Sequence, residues 1–205
     1  MGNDHYYSNS PHSPSERRLL TVQLRGREWR FTTDRGVFSG DRIDPGSRLL
    51  IEQMEINPGD RVLDVGAGYG PIGVVAGFLA GPDGQATLLE VNSRAAALAQ
   101  ENASQNGVGN VTLVQTDDLA SLALPPQDVV VTNPPVRTGW KVVMPLLEAA
   151  ASKLRPGGRL WLVGYKHLGV NSLGKHLASI LGPPQTVAKQ GGYRVLVATR
   201  EEARD

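Results

Sequence analysis

The chain has 205 residues, 40% of them hydrophobic and 20% charged, and a net charge of +1. That length buries one α/β core and is short for two independent ones. Cysteine is absent, which excludes disulfides, thiolate nucleophiles and cysteine-ligated metals. The four histidines, His5, His12, His167 and His176, show no metal-ligand spacing, so no metal is expected. Charge is unevenly spread: Lys plus Arg against Asp plus Glu is 8 to 6 over residues 1–50, 4 to 11 over 51–150, and 9 to 3 over 151–205. An acidic middle and a basic end suit a solvated surface, or a cofactor half with a phosphate-facing rim drawn from the termini.

Residues 1–18, "MGNDHYYSNSPHSPSERR", are polar, lack the apolar core of a signal peptide and read as a flexible tail. No apolar run approaches the roughly 20 residues that span a bilayer, so a cytoplasmic protein is expected. "LLTVQLRGREWRFTT" (19–33) alternates in short runs broken at Gly26 and predicts a hairpin. "SRLLIEQMEI" (47–56) has helical spacing, with Ser47 as the expected cap.

From residue 61 strands and helices alternate. Strands are expected at 61–68, 86–91, 111–117, 127–133 and 159–165. Helices are expected at 71–80, from Ser93 as cap to Gly107, at roughly 140–154 and near 172–181. Two closing strands near 186–190 and 193–199 share the turn "QGGY". The pattern predicts a parallel sheet covered on both faces.

Three strand ends carry chemistry. In "DVGAGYGPIG" (64–73), lying between a strand and a helix, the glycines let a ligand approach the backbone and meet helix N-terminal N–H groups. A dinucleotide fingerprint wants Gly at its sixth position, where this chain has Pro71. Asp64 would also repel a diphosphate, which weakens a nicotinamide dehydrogenase reading and favours a cationic ligand. Glu90 ends the next strand, where a carboxylate takes ribose hydroxyls. Asp117 and Asp118 end the third, placed so that either accepts from an adenine amino group, or Asp118 caps the next helix.

The fourth strand ends in "TNPP". A residue before proline is held extended, and Pro134 and Pro135 have fixed φ and no N–H, so the corner is rigid and presents acceptors. The Asn133 side-chain oxygen and the Pro134 carbonyl together fit the two hydrogens of one planar amino group.

"LDVGAGYGPIG", "EVN" and "TNPP" in this order, with "DRGVFSGDRIDPGSRLL" (34–50) ahead of them and "NPPVRTGWKVV", resemble the small-methyltransferase domain family of S-adenosylmethionine-dependent methyltransferases. Its best known members are bacterial 16S rRNA guanine-N2 methyltransferases. The likeness spans roughly residues 30–200. It implies a class I, Rossmann-like α/β fold, with a seven-stranded, mostly parallel sheet and an antiparallel last strand. The expected division is a tail at 1–18, a hairpin and cofactor-covering segment at 19–48, and a methyltransferase domain at 49–205.

Residue by residue, the resemblance implies Asp64, Gly66 and Gly68 at the methionine part of S-adenosylmethionine, and Glu90 at its ribose. Asn92 joins that cofactor set, with Asp117, or its neighbour Asp118, near the adenine. Phe38, Asp44 and Ser47 would cover the cofactor, and Asn133, Pro134 and Pro135 would hold the target amine. Val136, Arg137, Lys141, Lys166 and Arg194 would meet the RNA. Relatives often carry an aromatic residue after Pro-Pro to stack on a flipped base, whereas this chain has Val136. Methyl transfer to guanine N2 of ribosomal RNA is expected. Transfer to tRNA, to adenine N6 or to a protein glutamine amide, and an RNA-binding module without catalysis, stay open, as does oligomeric state.

Overall fold

The computed structural model describes residues 14–39 and 41–201, so the first 13 residues of the expected tail lie outside the described residues. Just ahead of the first strand, Ser15 Oγ donates to Asp34 Oδ2 at 2.7 Å.

The hairpin comes first. β1 (Arg18–Leu24) and β2 (Arg27–Thr33) pair antiparallel around Arg25 and Gly26, whose φ values of 53° and 74° match the handedness of the flanking strands' twist. Trp29 and Phe31 are fully buried. The Arg27 guanidinium lies 4.6 Å from the Trp29 ring centroid and 4.5 Å from that of Phe78.

A seven-stranded sheet comes next, built from β3 (Arg61–Val65), β4 (Gln85–Glu90), β5 (Val111–Gln115), β6 (Gln127–Thr132), β7 (Leu154–Tyr165), β8 (Gln185–Gln190) and β9 (Tyr193–Thr199). The spatial order is β5-β4-β3-β6-β7-β9-β8, with β9 antiparallel to both its neighbours and the remaining pairs parallel. This is the class I methyltransferase architecture. The chain runs outward from β3 through β4 and β5, then returns to β6 on the other side. The crevice at the carboxyl ends of β3 and β6 is therefore a switch point, where open α/β sheets bind ligands.

α1 (Pro45–Gln53), α2 (Pro71–Ala80), α3 (Ser93–Gln105), α4 (Trp140–Ser152) and α5 (Val170–Ile180) cover the sheet. Strand residues alternate between two buried clusters, as a two-sided sheet demands. Val62, Val129, Val131, Trp161 and Val163 join the hairpin, α1, α2 and α3 on one face, and Leu63, Val65, Val130, Leu160 and Leu162 join α4 and α5 on the other.

Several ends differ from expectation. The first strand of the large sheet stops at Val65 because Gly66 and Gly68 are left-handed. The third stops at Gln115, before its two aspartates. β7 begins at Leu154 and not at the expected 159, because a register shift against β6 absorbs the Pro-Gly-Gly at 156–158. Ser47 does not cap α1: the N-cap is Asp44, whose Oδ2 accepts the Ser47 N–H at 2.8 Å, with Pro45 inside the first turn. Nor does Ser93 cap α3, since Asn92 Oδ1 accepts the Arg94 and Ala95 N–H groups.

α3 also fastens the hairpin. Asn102 Oδ1 accepts the Thr32 N–H at 2.7 Å, and one turn on Asn106 Oδ1 accepts the Arg30 N–H at 3.0 Å. These amides occupy backbone groups that an edge strand would otherwise leave unpaired. No described helix is long and apolar enough to cross a membrane.

Candidate active site

β3 ends in a turn that directs its backbone toward the crevice. The Gly66 and Ala67 N–H groups donate to Leu89 O at 3.0 and 2.9 Å, tying the loop to the neighbouring strand. Gly66 and Gly68 have φ of 77° and 59°, and no protein atom stands within 4 Å of where either Cβ would be. That empty cradle is open to a ligand.

Glu90 lines the same cavity from the end of β4. Its Oε2 accepts the Gly68 N–H at 2.7 Å and its Oε1 the Asn92 N–H at 2.8 Å. Burial pushes its carboxyl above the usual carboxylate range, against those backbone bonds.

Asp64 stands differently from the expectation of a carboxylate facing the crevice. It is fully buried on the α2 side of β3, one strand position from Leu63 and Val65, which face α4 and α5. Neither carboxylate oxygen has a side-chain partner among the described residues. Burial pushes the group up to about 7, the Gly73 N–H pulls the other way, and Glu90 adds to the rise. Gly73 is needed for this fit, since a Cβ there would lie 2.8 Å from Asp64 Oδ2 and 2.5 Å from Leu88 Cγ.

The Asn-Pro-Pro corner lies beside this loop. Thr132 Oγ1 donates to Val65 O at 2.8 Å and joins the ends of β6 and β3. Asn133 Nδ2 donates to Asp44 Oδ2 at 2.9 Å and to Ser47 Oγ at 3.0 Å, so both amide hydrogens are engaged by the start of α1. Reversing the amide would set its oxygen against the Asp44 carboxylate, which the charge forbids. Oδ1 is thereby left free to accept. The Pro134 carbonyl accepts the Val136 N–H at 2.8 Å and keeps one lone pair in reserve.

One cavity brings together Phe38, Ser47, Gly66, Gly68, Glu90, Asn133, Pro134, Pro135, Val136 and Arg137 from the residues singled out by sequence. It does not include Asn92, Asp117, Asp118, Lys141, Lys166 or Arg194 among its lining. Asn92 is 1% exposed and spends its side chain on the α3 cap. Asp118 caps a turn, accepting the Ser121 N–H at 3.1 Å, while Asp117 is exposed beyond the end of β5. Lys166 and Arg194 line a separate depression next door, and Lys141 stands exposed at the start of α4.

The same cavity holds residues that the sequence pattern did not single out. Tyr69, 2% exposed, comes from the glycine loop itself, and its buried hydroxyl has no partner among the described residues. Tyr165 ends β7 and Tyr193 begins β9. Tyr69 had a legible signal in its place between two motif glycines. The other two had none. No group of three or more metal-binding side chains occurs among the described residues.

Residues 28–197 match the model of the family described as Methyltransferase small domain. The chain belongs to this family of S-adenosylmethionine-dependent methyltransferases. It is 38% identical over 203 residues to the uncharacterized protein YbxB of Bacillus subtilis, covering 96% of this chain and 98% of that one. It is 30% identical over 187 residues to ribosomal RNA large subunit methyltransferase G of Streptomyces avermitilis, covering 87% of this chain and 47% of that one. A T. thermophilus 16S rRNA N2 methyltransferase, solved with AdoMet and guanosine, superposes with a TM-score of 0.81 at 29% identity, covering 93% of this chain and 52% of that one. The chain thus spans about half the length of the rRNA methyltransferases it matches.

The residues present fit S-adenosylmethionine. The vacant glycine cradle can take its amino-acid part, and the Glu90 carboxylate can accept from ribose hydroxyls.

Proposed function

We propose that the chain methylates an exocyclic amino nitrogen of ribosomal RNA, guanine N2, and works in the cytoplasm. The observation that carries this reading is the orientation of the Asn133 amide. With its N–H groups held by Asp44 and Ser47, its Oδ1 and the Pro134 carbonyl form a pair of acceptors at the edge of the cofactor cavity. Such a pair engages both hydrogens of an –NH2 group, whereas a ring N–H or a hydroxyl satisfies only one of the two acceptors.

Bound S-adenosylmethionine supplies a methyl group already activated by the sulfonium. The protein's task is then orientation and exclusion of water. Two accepted hydrogen bonds fix the plane of the amino group and aim the nitrogen lone pair at the glycine cradle. Pro134 and Pro135, both buried, fix the backbone here, so that Asn133 Oδ1 and the second lone pair of the Pro134 carbonyl stay available. After transfer the nitrogen is cationic and loses a proton to water, so no side-chain base is required.

In this reading segment 19–48 both covers the cofactor and orients Asn133. Support for ribosomal RNA comes from the activities that name the relatives. Asp117 remains the candidate adenine contact, at the carboxyl end of the neighbouring strand.

The test is transfer of radiolabelled methyl from S-adenosylmethionine to total RNA and to total protein, comparing the intact chain with Asn133→Ala. Label recovered as N2-methylguanosine, falling by about 10²–10³ in the variant, is expected for loss of a group that acts on the reacting atoms. Label in protein alone would replace the proposal with a glutamine-amide substrate.

A further inference from the structure

The position after Pro-Pro, where an aromatic residue would stack on a flipped base, is Val136, yet the cavity still has an aromatic wall. Tyr165, the last residue of β7, and Tyr193, the first of the antiparallel β9, stand directly across from each other in register. Their ring centroids are 4.9 Å apart at an interplanar angle of 51°.

Each ring is seated on a glycine. A Cβ on Gly46 would lie 2.8 Å from Tyr193 Cδ1 and Cε1, and one on Gly192 would lie 2.6 Å from Tyr165 Cε2. Gly46 is in the first turn of α1, two residues from Asp44, so the Tyr193 ring is built onto the element that orients Asn133. Both rings are only partly buried. Phe38 and Leu168, 41% and 39% exposed, line the same cavity and leave apolar surface uncovered at its mouth.

Tyr193 also lines the neighbouring depression, together with Lys166, Lys189, Arg194 and the Gly191-Gly192 turn. No carboxylate lines that depression among the described residues. An aromatic pair in a cavity with amino-group acceptors, with the Tyr193 ring also lining a basic hollow, matches one occupant, a nucleotide with its base in the first and an adjoining phosphate in the second.

We propose that Tyr165 and Tyr193 form the stacking wall for the extruded target base in place of the missing aromatic after Pro-Pro, and that Lys166, Lys189 and Arg194 take the phosphate next to it. This inference rests on the RNA reading above. It names where that RNA lies.

The test uses the full chain with S-adenosylmethionine and total ribosomal RNA. In Tyr165→Leu/Tyr193→Leu, kcat/KM for RNA should fall roughly 5- to 150-fold, the range for removal of a base-stacking aromatic. Tyr165→Phe/Tyr193→Phe should recover most of that activity, because stacking needs the ring and not the hydroxyl. The dissociation constant for S-adenosylmethionine should stay within about twofold in both, which distinguishes a stacking wall from general damage. Lys166→Ala/Lys189→Ala/Arg194→Ala, on exposed or half-exposed side chains, should raise KM for RNA and reduce the slope of log KM against log salt by about 0.7 for each phosphate no longer neutralised.

Methylated RNA with the leucine pair within twofold of wild type, or with the phenylalanine pair as impaired as the leucine pair, would overturn the wall. An unchanged salt slope in the triple variant would overturn the phosphate site. Failure of the wild-type chain to label any RNA while labelling protein would overturn the underlying reading as well.

Discussion

Two strand ends meet at this site and solve opposite problems. The loop after β3 clears space: Gly66 and Gly68 have no protein atom where a Cβ would be, and the backbone supplies the surface. The corner after β6 fills space with Pro134 and Pro135 and offers side-chain and carbonyl acceptors. The first is organised by its own backbone and by the adjacent Leu89 and Glu90. The second is organised by Asp44 and Ser47, 89 and 86 residues earlier in the chain. A cradle made of backbone can be local, whereas an amide whose two ends differ only in chemistry needs an outside group to choose its orientation.

That contrast breaks most sharply at Asp44. Asp44→Ala removes the carboxylate that fixes the Asn133 amide and should lower kcat by up to about 10²-fold through misplacement alone. It also removes the α1 cap, at about 1 kcal/mol. Ser47→Ala leaves the cap carboxylate in place and should lower kcat less, by several-fold, without the loss of stability. Equal kcat in wild type and both variants would show that Asn133 needs no outside orientation.

On the glycine side, Gly68→Ala places a methyl group in the cradle and should weaken S-adenosylmethionine binding at least tenfold by calorimetry. Gly26→Ala in the hairpin turn is the matched control, since its φ of 74° is also left-handed and its Cβ site is also empty. Both substitutions should cost roughly 1–2 kcal/mol of stability from backbone strain, and only the first should affect binding. Matching affinities in the two variants would mean that the cradle is not a ligand site.

The smallest effect concerns Asp64. Its carboxyl titrates at about 7 in the folded protein and near 3.9 when unfolded. Between those values the folded state holds the extra proton, so the contribution of this group is most favourable below about pH 4, falls as pH rises, and levels off above about 7. Glu90 is raised in the same direction. Asp64→Asn should therefore gain in thermal midpoint relative to wild type, by a few degrees, between pH 5 and pH 8 in the cofactor-free protein. Parallel midpoint curves for the two proteins would show that Asp64 stays charged throughout.

Much of this arrangement was legible in the residues. Alternating apolar runs located the strands of the described residues, and in the large sheet, buried on both faces, they are continuous β-branched and aliphatic segments. Glycines before a helix and prolines after a strand marked the site, because those residue types have backbone consequences wherever they occur. Element ends were less legible. Ser47 and Ser93 looked like caps, yet Asp44 and Asn92 won, since a cap depends on which side chain meets the first free N–H groups. Asn92 and Asp118 looked like ligand groups and were taken by caps and turns.

What the sequence by itself determined is the order of elements, the class of fold and the two strand ends where chemistry gathers, all written in periodicity and in backbone-restricted residues. Tertiary structure alone decided which side chains share the cavity. It put the buried Asp64 on the α2 side of β3, because alternation along the strand leaves it no other face, and it brought Asp44 to Asn133 because α1 packs on β7, the strand beside β6. It also set Tyr165 beside Tyr193, because β7 and β9 run antiparallel and a register has no signature in either strand read alone.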